Sequence, residues 1–282
     1  TGRSFSLIVA LCGRLAPNSS GLLIMSTLAG YLRLIYRVPW MLLHILLGTP
    51  LVVVCQYPWA EAIPFGKHTL KAAVAIWWSR MICRIFGIRI QGRGEFIPGA
   101  QLVVANHISW LDIPLMHRLA AMGFVSKAEI KDWPVIGFVA KSGGTLFHQR
   151  GCRDSSSGVG AVMAKRLEEG GRVAIFPEGG ILPGPGVKRF HGRMFAAAID
   201  TATPVQPVML RYLHEGRHDH DMTFLPGEHF VANFFRLLRQ GRRVADVAVL
   251  PLIESAGKQR KPLAQEAERA VRTAFDADPA GG

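Results

Sequence analysis

The chain has 282 residues, of which 33 are Lys or Arg and 20 are Asp or Glu, so its formal net charge is +13. This surplus predicts an anionic partner, and because 49% of the residues are hydrophobic and the mean hydropathy is +0.22, a membrane surface is favoured. No zinc-finger spacing or RNA-binding aromatic signature occurs, so we expect no nucleic-acid partner. The length suits one large domain with appendages, or two small domains.

The N-terminal part carries most of the apolar character. Residues 21–36 are mostly apolar, and residues 38–56 form a run of nineteen without a formal charge. That length can just span a bilayer, although Pro39 and Pro50 disfavour one straight helix. This stretch could be a transmembrane anchor, a re-entrant hairpin or a signal peptide. The signal peptide is the weakest of the three, because the first residues do not show its basic, apolar and small-residue segments in order. We predict that residues 1–66 form a membrane anchor region.

Two later segments combine apolar and basic residues. Within residues 68–90, adjacent tryptophans lie among cations, which predicts an interfacial helix and linker over residues 67–99. The alternative is a helix that packs in the core and extends its arginines to solvent. Residues 230–243 repeat the pattern, and either touch anionic lipid or end a solvated helix.

From residue 100 onwards the pattern alternates. Short apolar runs predict strands at 102–105, 123–126, 172–176, 205–210 and 244–250. The segments near 129–141, 154–170, 191–201 and 260–276 read as helices. Strands separated by helices indicate an α/β fold with a mixed, largely parallel sheet flanked by helices, and with an N-terminal membrane-associated helical segment. We assign residues 100–282 to this unit.

The most informative motif follows the first of these strands, where His107 and Asp112 stand five positions apart. Five residues of regular helix turn the chain by about 500°, leaving two side chains roughly 140° apart. The pair can therefore meet only if His107 lies in a strand-to-helix turn and Asp112 in the first helical turn. Ser109 and Pro114 favour such a helix start. Asp112 would then orient His107 as a general base; the alternative is a helix-capping Asp112 beside a turn histidine.

Three further positions are candidates for substrate contacts. After the predicted strand that ends at Phe176, Pro177 ends the pairing and Glu178-Gly179-Gly180 forms a turn whose glycines permit close approach of a ligand. Glu178 would accept hydrogen bonds from a substrate, or is a solvated turn residue. Lys127 and Arg150 each follow an apolar run and suit a phosphate contact, or are solvated strand ends.

Four blocks in order resemble the glycerolipid acyltransferases typified by 1-acylglycerol-3-phosphate acyltransferase. Their order over residues 100–210 is more specific than any one block. They read Asn106-His107 with Asp112; Lys127-Ala128-Glu129-Ile130 with Pro134, Gly137, Gly144, Phe147 and Arg150; Phe176-Pro177-Glu178-Gly179; and Pro204-Val205-Gln206-Pro207-Val208.

The resemblance implies one chemical step and a set of site residues. An acyl group moves from a thioester on coenzyme A or acyl carrier protein to the free hydroxyl of a lysolipid. His107 deprotonates the hydroxyl, Asp112 orients His107, and neither a cofactor, a metal nor a covalent acyl-enzyme is needed, because the thioester is already activated. The implied substrate-binding residues are Asn106, Lys127, Arg150, Phe176, Pro177, Glu178, Gly179 and Gly180.

The third block departs from the usual family pattern. The family form continues Phe-Pro-Glu-Gly-Thr-Arg, whereas this chain has Gly180 and Ile181 in the last two positions. The absent arginine is a phosphate contact in that reading. Either Lys188, Arg189 or Arg193 replaces its charge, or the acceptor is not a phosphomonoester.

The cysteines and histidines suggest no metal site. Cys12, Cys55, Cys83 and Cys152 are scattered without metal-ligand spacing, which fits a reducing, cytoplasm-facing domain. The loop after the fourth apolar run also holds four histidines and two aspartates, which could suggest a metal site but which we expect to be solvated: His214, His218, His220, His229, Asp219 and Asp221.

Three functions follow from these observations. The first is transfer of an acyl group to 1-acylglycerol-3-phosphate, giving phosphatidic acid at an anionic membrane, which we expect to be the bacterial inner membrane with the catalytic domain facing the cytoplasm. The second is O-acylation of another lysolipid, such as lyso-ornithine lipid. The third is a non-catalytic lipid-binding protein on the same fold.

Overall fold

The computed structural model describes residues 19–127, 137, 145–148, 153–182, 184 and 186–277. A mixed sheet forms its centre, and a two-stranded hairpin lies beside it. The hairpin pairs β1 (Pro64–Phe65) with β2 (His68–Thr69). The sheet contains β3 (Ile88–Arg93), β4 (Gln101–Ala105), β5 (Gly123–Lys127), β6 (Leu146–His148), β7 (Arg172–Ile175), β8 (Val205–His214), β9 (Arg217–His218) and β10 (Arg243–Val249).

The strand order is β3-β10-β8-β4-β7-β5-β6, with β9 paired to β8. The five strands from β8 to β6 run parallel, whereas β10 is antiparallel to β8 and β3 is parallel to β10. The predicted mixed, largely parallel sheet is therefore confirmed. Because Ala105 lies opposite Val208 in register, β8 continues beyond the carboxyl end of β4 and forms one wall of the space there.

Helices cover both faces of the sheet. They are α1 (Ser19–Leu43), α2 (Thr49–Val54), α3 (Pro58–Ala62), α4 (Leu70–Ile85), α5 (Asp112–Leu119), α6 (Arg153–Glu168), α7 (Ala196–Asp200), α8 (Phe230–Arg239) and α9 (Arg260–Asp276). Alternation along β4 separates two cores. Val103 faces a core with α4, α5 and α8, and Val104 faces a core with α6, α7 and α9.

The N-terminal helix is docked on the first of these faces. A π-helical turn, His44–Gly48, joins α1 to α2, so that residues 25–54 form one apolar helical stretch of 30 residues that is long enough to cross a membrane. Arg37 is buried and donates to the carbonyls of Leu238 (2.9 Å) and Gln240 (2.8 Å) at the end of α8. A cation at a helix C-terminus is favourable, so this contact fixes α1 to the domain.

The structure departs from the predicted elements in three places. The apolar-basic segment at 68–90 ends its helix at Ile85, and β3 pairs with β10, so the sheet begins at residue 88 and not at residue 100. The segment at 191–201 is a 3₁₀ turn, Gly192–Phe195, followed by the short α7. The helix predicted near 129–141 lies outside the described residues except for residue 137.

Candidate active site

The turn after β4 brings the predicted pair together. His107 lies in the strand-to-helix turn, and Asp112 is the first residue of α5. The Nδ1 atom of His107 lies 2.8 Å from Oδ2 of Asp112. The meeting of the two side chains that the spacing required is thus confirmed. The side chain of Asp112 is fully buried, and that of His107 is 12% exposed.

Hydrogen bonds surround the Asp112 carboxylate. Its Oδ2 accepts the backbone N–H groups of Ile108 (2.7 Å) and Ser109 (2.9 Å) in addition to the histidine. Its Oδ1 accepts the hydroxyl of Tyr212 at 2.8 Å. A buried carboxylate is tolerated only with such partners, and here they also fix its orientation. Of the two readings of Asp112, the contacts fit the one in which it is directed at His107, because the N–H groups that it accepts precede the helix and its side chain caps none of the helix's own N–H groups.

Tyr212 is a site residue that the sequence analysis missed. It lies on β8, fully buried, and its side chain reaches the carboxylate from the strand next to β4. Burial and the neighbouring Asp112 charge hold the pKa of its phenol well above the usual range, so the hydroxyl stays protonated and donates. No local motif marks it, because it is 100 positions from Asp112 in the chain.

Asn106 joins two strands. Its side-chain amide donates to the Leu210 carbonyl and accepts from the Leu210 N–H, both at 2.8 Å. The residue is only 1% exposed. Its amide therefore continues the pairing between β4 and β8 and holds the turn that carries His107. A substrate contact through Asn106 stays a prediction.

Glu178 is also engaged within the protein. Its Oε2 accepts the His107 backbone N–H at 3.1 Å, and its Oε1 accepts the Lys188 backbone N–H at 2.8 Å. The residue is 4% exposed, and this burial raises the pKa of its carboxyl, opposed by the two backbone hydrogen bonds. Glu178 is not the solvated turn residue of the alternative reading. It links the histidine turn to the segment at 187–190, and a substrate contact through it stays a prediction.

The ring of His107 also makes aromatic stacking contacts. Its ring stacks on Phe176 with centroids 3.9 Å apart and planes 8° apart. Phe176 in turn stacks on Phe124 at 5.8 Å. After Pro177, which is buried, Gly179 adopts φ +84° and donates to the Phe176 carbonyl at 3.1 Å. A left-handed residue here favours glycine, so the turn lies close against the imidazole.

The candidate cations are spread out. Lys188 is half-buried, and a Cβ built on Gly184 would lie 3.2 Å from its Nζ, so the ammonium lies over the glycine-rich loop beside Glu178. Arg189 and Arg193 are exposed, and no contact within the described ranges joins either to the His107–Asp112 pair. Lys127 ends β5, but its side chain lies outside the described residues, as does Arg150 entirely.

The histidines between residues 214 and 229 do not converge. His229 caps α8 by accepting the Ala232 N–H at 3.0 Å, and Asp219 forms an ion pair with Arg243. Within the part of the chain that the structure describes, no group of three potential ligands could hold a metal ion.

The geometry supports one type of chemistry. With Nδ1–H of His107 directed at Asp112, the Nε2 atom of the neutral ring is free of a proton and can accept one. Asp112 then stabilises the imidazolium that forms. The histidine is partly exposed and contacts a buried carboxylate, and among the described residues no hydroxyl or thiol nucleophile contacts it. This arrangement suits activation of a substrate hydroxyl.

Comparisons with known proteins point to one family and one fold. A family model described as Acyltransferase matches residues 87–211. The crystal structure of the 1-acyl-sn-glycerophosphate acyltransferase PlsC from Thermotoga maritima superposes with a TM-score of 0.66 at 17% identity, covering 89% of this chain and 96% of that one. At that identity the likeness shows the fold alone.

Sequence relatives include two kinds of lysolipid acyltransferase. The chain is 37% identical to a lyso-ornithine lipid O-acyltransferase of Pseudomonas aeruginosa, over 76% of this chain and 83% of the relative. It is 32% identical to one from Rhodobacter capsulatus, over 88% and 91%. It is 33% identical to the 1-acyl-sn-glycerol-3-phosphate acyltransferase of Neisseria gonorrhoeae, over 53% and 58%.

These names favour an enzyme over a non-catalytic lipid-binding protein, and the matching model spans the strand-turn-helix unit that carries His107 and Asp112. The four sequence blocks, the mixed sheet and the relatives all agree. The chain therefore belongs to the acyltransferase family and is a lysolipid O-acyltransferase of the 1-acylglycerol-3-phosphate acyltransferase type.

Proposed function

We propose that this protein transfers a fatty acyl group from a thioester to the hydroxyl of lyso-ornithine lipid, with His107 as the general base and Asp112 as its orienting partner. The observation that carries the base assignment is the 2.8 Å contact between His107 Nδ1 and Asp112 Oδ2. The acceptor assignment rests on a separate comparison.

In the chemical step, Nε2 of His107 takes the proton of the acceptor hydroxyl as its oxygen attacks the thioester carbonyl. The new C–O bond forms, the C–S bond breaks, and the imidazolium returns its proton to the departing thiolate. Asp112 stabilises the imidazolium, and Tyr212 and two backbone N–H groups hold Asp112 in place. A base in this geometry contributes about 10²- to 10⁴-fold to the rate.

Two observations favour lyso-ornithine lipid. The relatives that match over most of both chains carry that name, whereas the phosphate-acceptor relative from Neisseria gonorrhoeae matches over 58% of its length. The third block also has Ile181 where the family form has an arginine. An ornithine head group carries an ammonium and a carboxylate, so it needs less positive charge than a phosphomonoester.

The second candidate is transfer to 1-acylglycerol-3-phosphate, giving phosphatidic acid, which the sequence blocks ranked first. Lys188 favours it, because its side chain lies over the loop next to Glu178 and can supply a point charge. Coenzyme A and acyl carrier protein are both suitable thioester carriers, and the step uses no cofactor.

The proposal includes association with an anionic membrane, in bacteria the inner membrane with the active site towards the cytoplasm. Large apolar side chains along α1 to α3 are exposed, among them Leu28, Ile35, Trp40, Leu46 and Tyr57. Such a patch on a basic protein fits a lipid surface.

The test is an acceptor competition. Purified protein in detergent receives one acyl thioester and equal amounts of lyso-ornithine lipid and 1-acylglycerol-3-phosphate, and the two products are quantified. We expect acylated ornithine lipid to dominate, and Ile181→Arg to shift the product ratio towards phosphatidic acid by about tenfold, since a charged hydrogen bond is worth about 1.5–3 kcal/mol. Phosphatidic acid as the main product of the unaltered protein would reverse the acceptor assignment.

A further inference from the structure

A groove lies between α1 and α8, on the helical layer that covers the first face of the sheet. It is open and has a volume of about 580 Å³. None of the His107, Asp112 or Glu178 side chains contributes to it. Its lining consists of Ser26, Thr27, Gly30 and Arg33 from α1 and Ala232, Phe235, Arg236, Arg239 and Gln240 from α8 and its end.

The three arginines of the groove differ in their partners. Arg236 binds the Glu228 carboxylate at 2.7 Å. Arg33 is half-buried and donates to the Arg239 carbonyl at 3.2 Å, and the guanidinium of Arg239 lies 4.4 Å from the centre of the Tyr31 ring. Over the described ranges, neither of these two forms an ion pair with a carboxylate. The groove therefore holds two charges that no carboxylate of the described residues neutralises.

Uncompensated guanidinium groups in a groove attract an anion that can accept several hydrogen bonds. Phosphate oxygens fit this requirement, since the planar fork of arginine donates two parallel bonds to them. One further polar atom lacks a partner, because Oε1 of Gln240, a residue that lines the groove, is buried and has no hydrogen bond in the described part of the chain. A head-group hydroxyl or amine would supply the missing donor.

The surroundings of the groove identify the source of the phosphate. Met25, Leu28 and Leu32 on α1 are 71%, 58% and 54% exposed, and Val231 and Phe235 on α8 are 58% and 43% exposed. Two basic side chains thus lie inside an apolar surface made by both helices. If the ligand were a soluble anion or an acidic protein, that apolar surface would stay in contact with water. A bilayer would cover the apolar surface and would also place lipid phosphates at the level of the two arginines.

We propose that the groove between α1 and α8 binds the phosphate of an anionic phospholipid of the bilayer, with Arg33 and Arg239 as its cations. The site is separate from the acyl-transfer site and does not depend on the acceptor. Through Arg33 and Arg37, α1 is attached to the end of α8, and the first residues of α8 contact the turn that carries His107 through the Trp110–Asn233 hydrogen bond. A lipid bound in the groove would hold the turn that carries His107 at a fixed distance from the membrane.

The experiment is native mass spectrometry of the full chain in a neutral detergent with equal amounts of phosphatidylglycerol and phosphatidylcholine. We expect one phosphatidylglycerol adduct, favoured at least tenfold over phosphatidylcholine. Each arginine near a membrane surface contributes about 1 kcal/mol, so Arg239→Gln should weaken the adduct about fivefold and the double variant with Arg33→Gln about 30-fold.

Two controls separate this site from general charge and from catalysis. Arg260→Gln with Arg269→Gln removes the same charge from exposed positions on α9, on the opposite face of the sheet, and should leave the adduct unchanged. His107→Ala should also keep it, because no acyl transfer is involved. Thermal unfolding confirms that each variant is folded, and Arg239 serves here because its side chain contacts the Tyr31 ring and caps no helix.

Three outcomes would overturn the proposal. Equal adducts with both lipids would show that the groove does not select charge. Equal loss in the α9 control would show a diffuse surface potential. Displacement of the lipid by millimolar inorganic phosphate, or tighter binding of an acidic carrier protein that Arg239→Gln abolishes, would assign the groove to a soluble ligand.

Discussion

Polar groups find their partners differently in two regions of the molecule, the turn at residues 106–112 and the surface formed by α1 and α8. In the turn, the Asp112 carboxylate accepts four hydrogen bonds from the protein and is fully buried. On the α1–α8 surface, large apolar side chains are exposed beside arginines without a carboxylate partner among the described residues. The first region is completed by contacts within the protein, whereas for the second we propose a partner outside it.

The contrast separates residues that set the geometry of the reaction from residues that determine where the protein binds. A reacting histidine needs a fixed tautomer and direction, and a saturated hydrogen-bond network supplies both. A membrane surface is fluid, so the contact with it needs apolar area and charge but no unique geometry. Substitutions in the turn should therefore act on the rate, and substitutions on the surface should act on binding and stability.

The largest effect is expected for Asp112→Asn. The amide oxygen would still accept the Ile108 and Ser109 N–H groups and that of His107, but the side chain would be neutral and could no longer stabilise the imidazolium. We expect kcat to fall about 10³- to 10⁴-fold with the fold intact. Single-turnover kinetics measures it, with Asp221→Asn, an exposed carboxylate, as the matched control. A loss below tenfold would mean that Asp112 only holds the turn at residues 107–109.

Tyr212→Phe removes one donor from the same carboxylate. Without this donor the carboxylate is less firmly directed at His107, so proton transfer should slow. We expect kcat to fall about tenfold and the free energy of unfolding to fall by about 1–3 kcal/mol. Tyr57→Phe, which changes an exposed ring, should do neither. An unchanged kcat together with a lower free energy of unfolding would reduce Tyr212 to a packing residue.

Arg37→Gln tests the attachment of α1. It removes two hydrogen bonds from a buried cation to carbonyls at the end of α8. We expect the free energy of unfolding to fall by about 2 kcal/mol in urea titrations. The control Lys71→Gln removes the exposed Lys71–Glu61 pair and should change it by about 0.5 kcal/mol or less. Equal effects would show that α1 is not held by Arg37.

The smallest effect concerns Glu178, whose carboxyl has a pKa raised chiefly by burial. A carboxyl with a raised folded-state pKa contributes most below its unfolded pKa, near 4.5, and that contribution is lost as the pH rises through the folded value. The unfolding free energy of the native protein relative to Glu178→Gln should therefore fall as the pH rises through this window. A difference that increases with pH would show that the carboxylate is stabilised when charged.

The sequence predicts those parts of the molecule that depend on local pattern. The apolar run at 102–105 becomes β4, and the five-residue spacing of His107 and Asp112 requires the turn that the structure shows. The strand β3 was missed, because Ile88–Arg93 is a mostly exposed edge strand that lacks a continuous apolar run.

The remaining site features depend on contacts between distant segments. Tyr212 reaches Asp112 only because β8 pairs with β4, and no spacing in the chain encodes that register. Asn106 and Glu178 read as substrate contacts from their motifs, but their polar atoms bind the backbone of Leu210, His107 and Lys188. The docking of α1 through Arg37 is likewise a tertiary contact.

The most direct test of the account is acyl transfer by the purified, detergent-solubilised protein and its His107→Ala variant, with a radiolabelled acyl thioester and lyso-ornithine lipid. We predict that the variant loses at least about 100-fold in rate, since it lacks the general base, while its melting temperature is unchanged. A variant that retains its activity would contradict the assignment of His107 as the base.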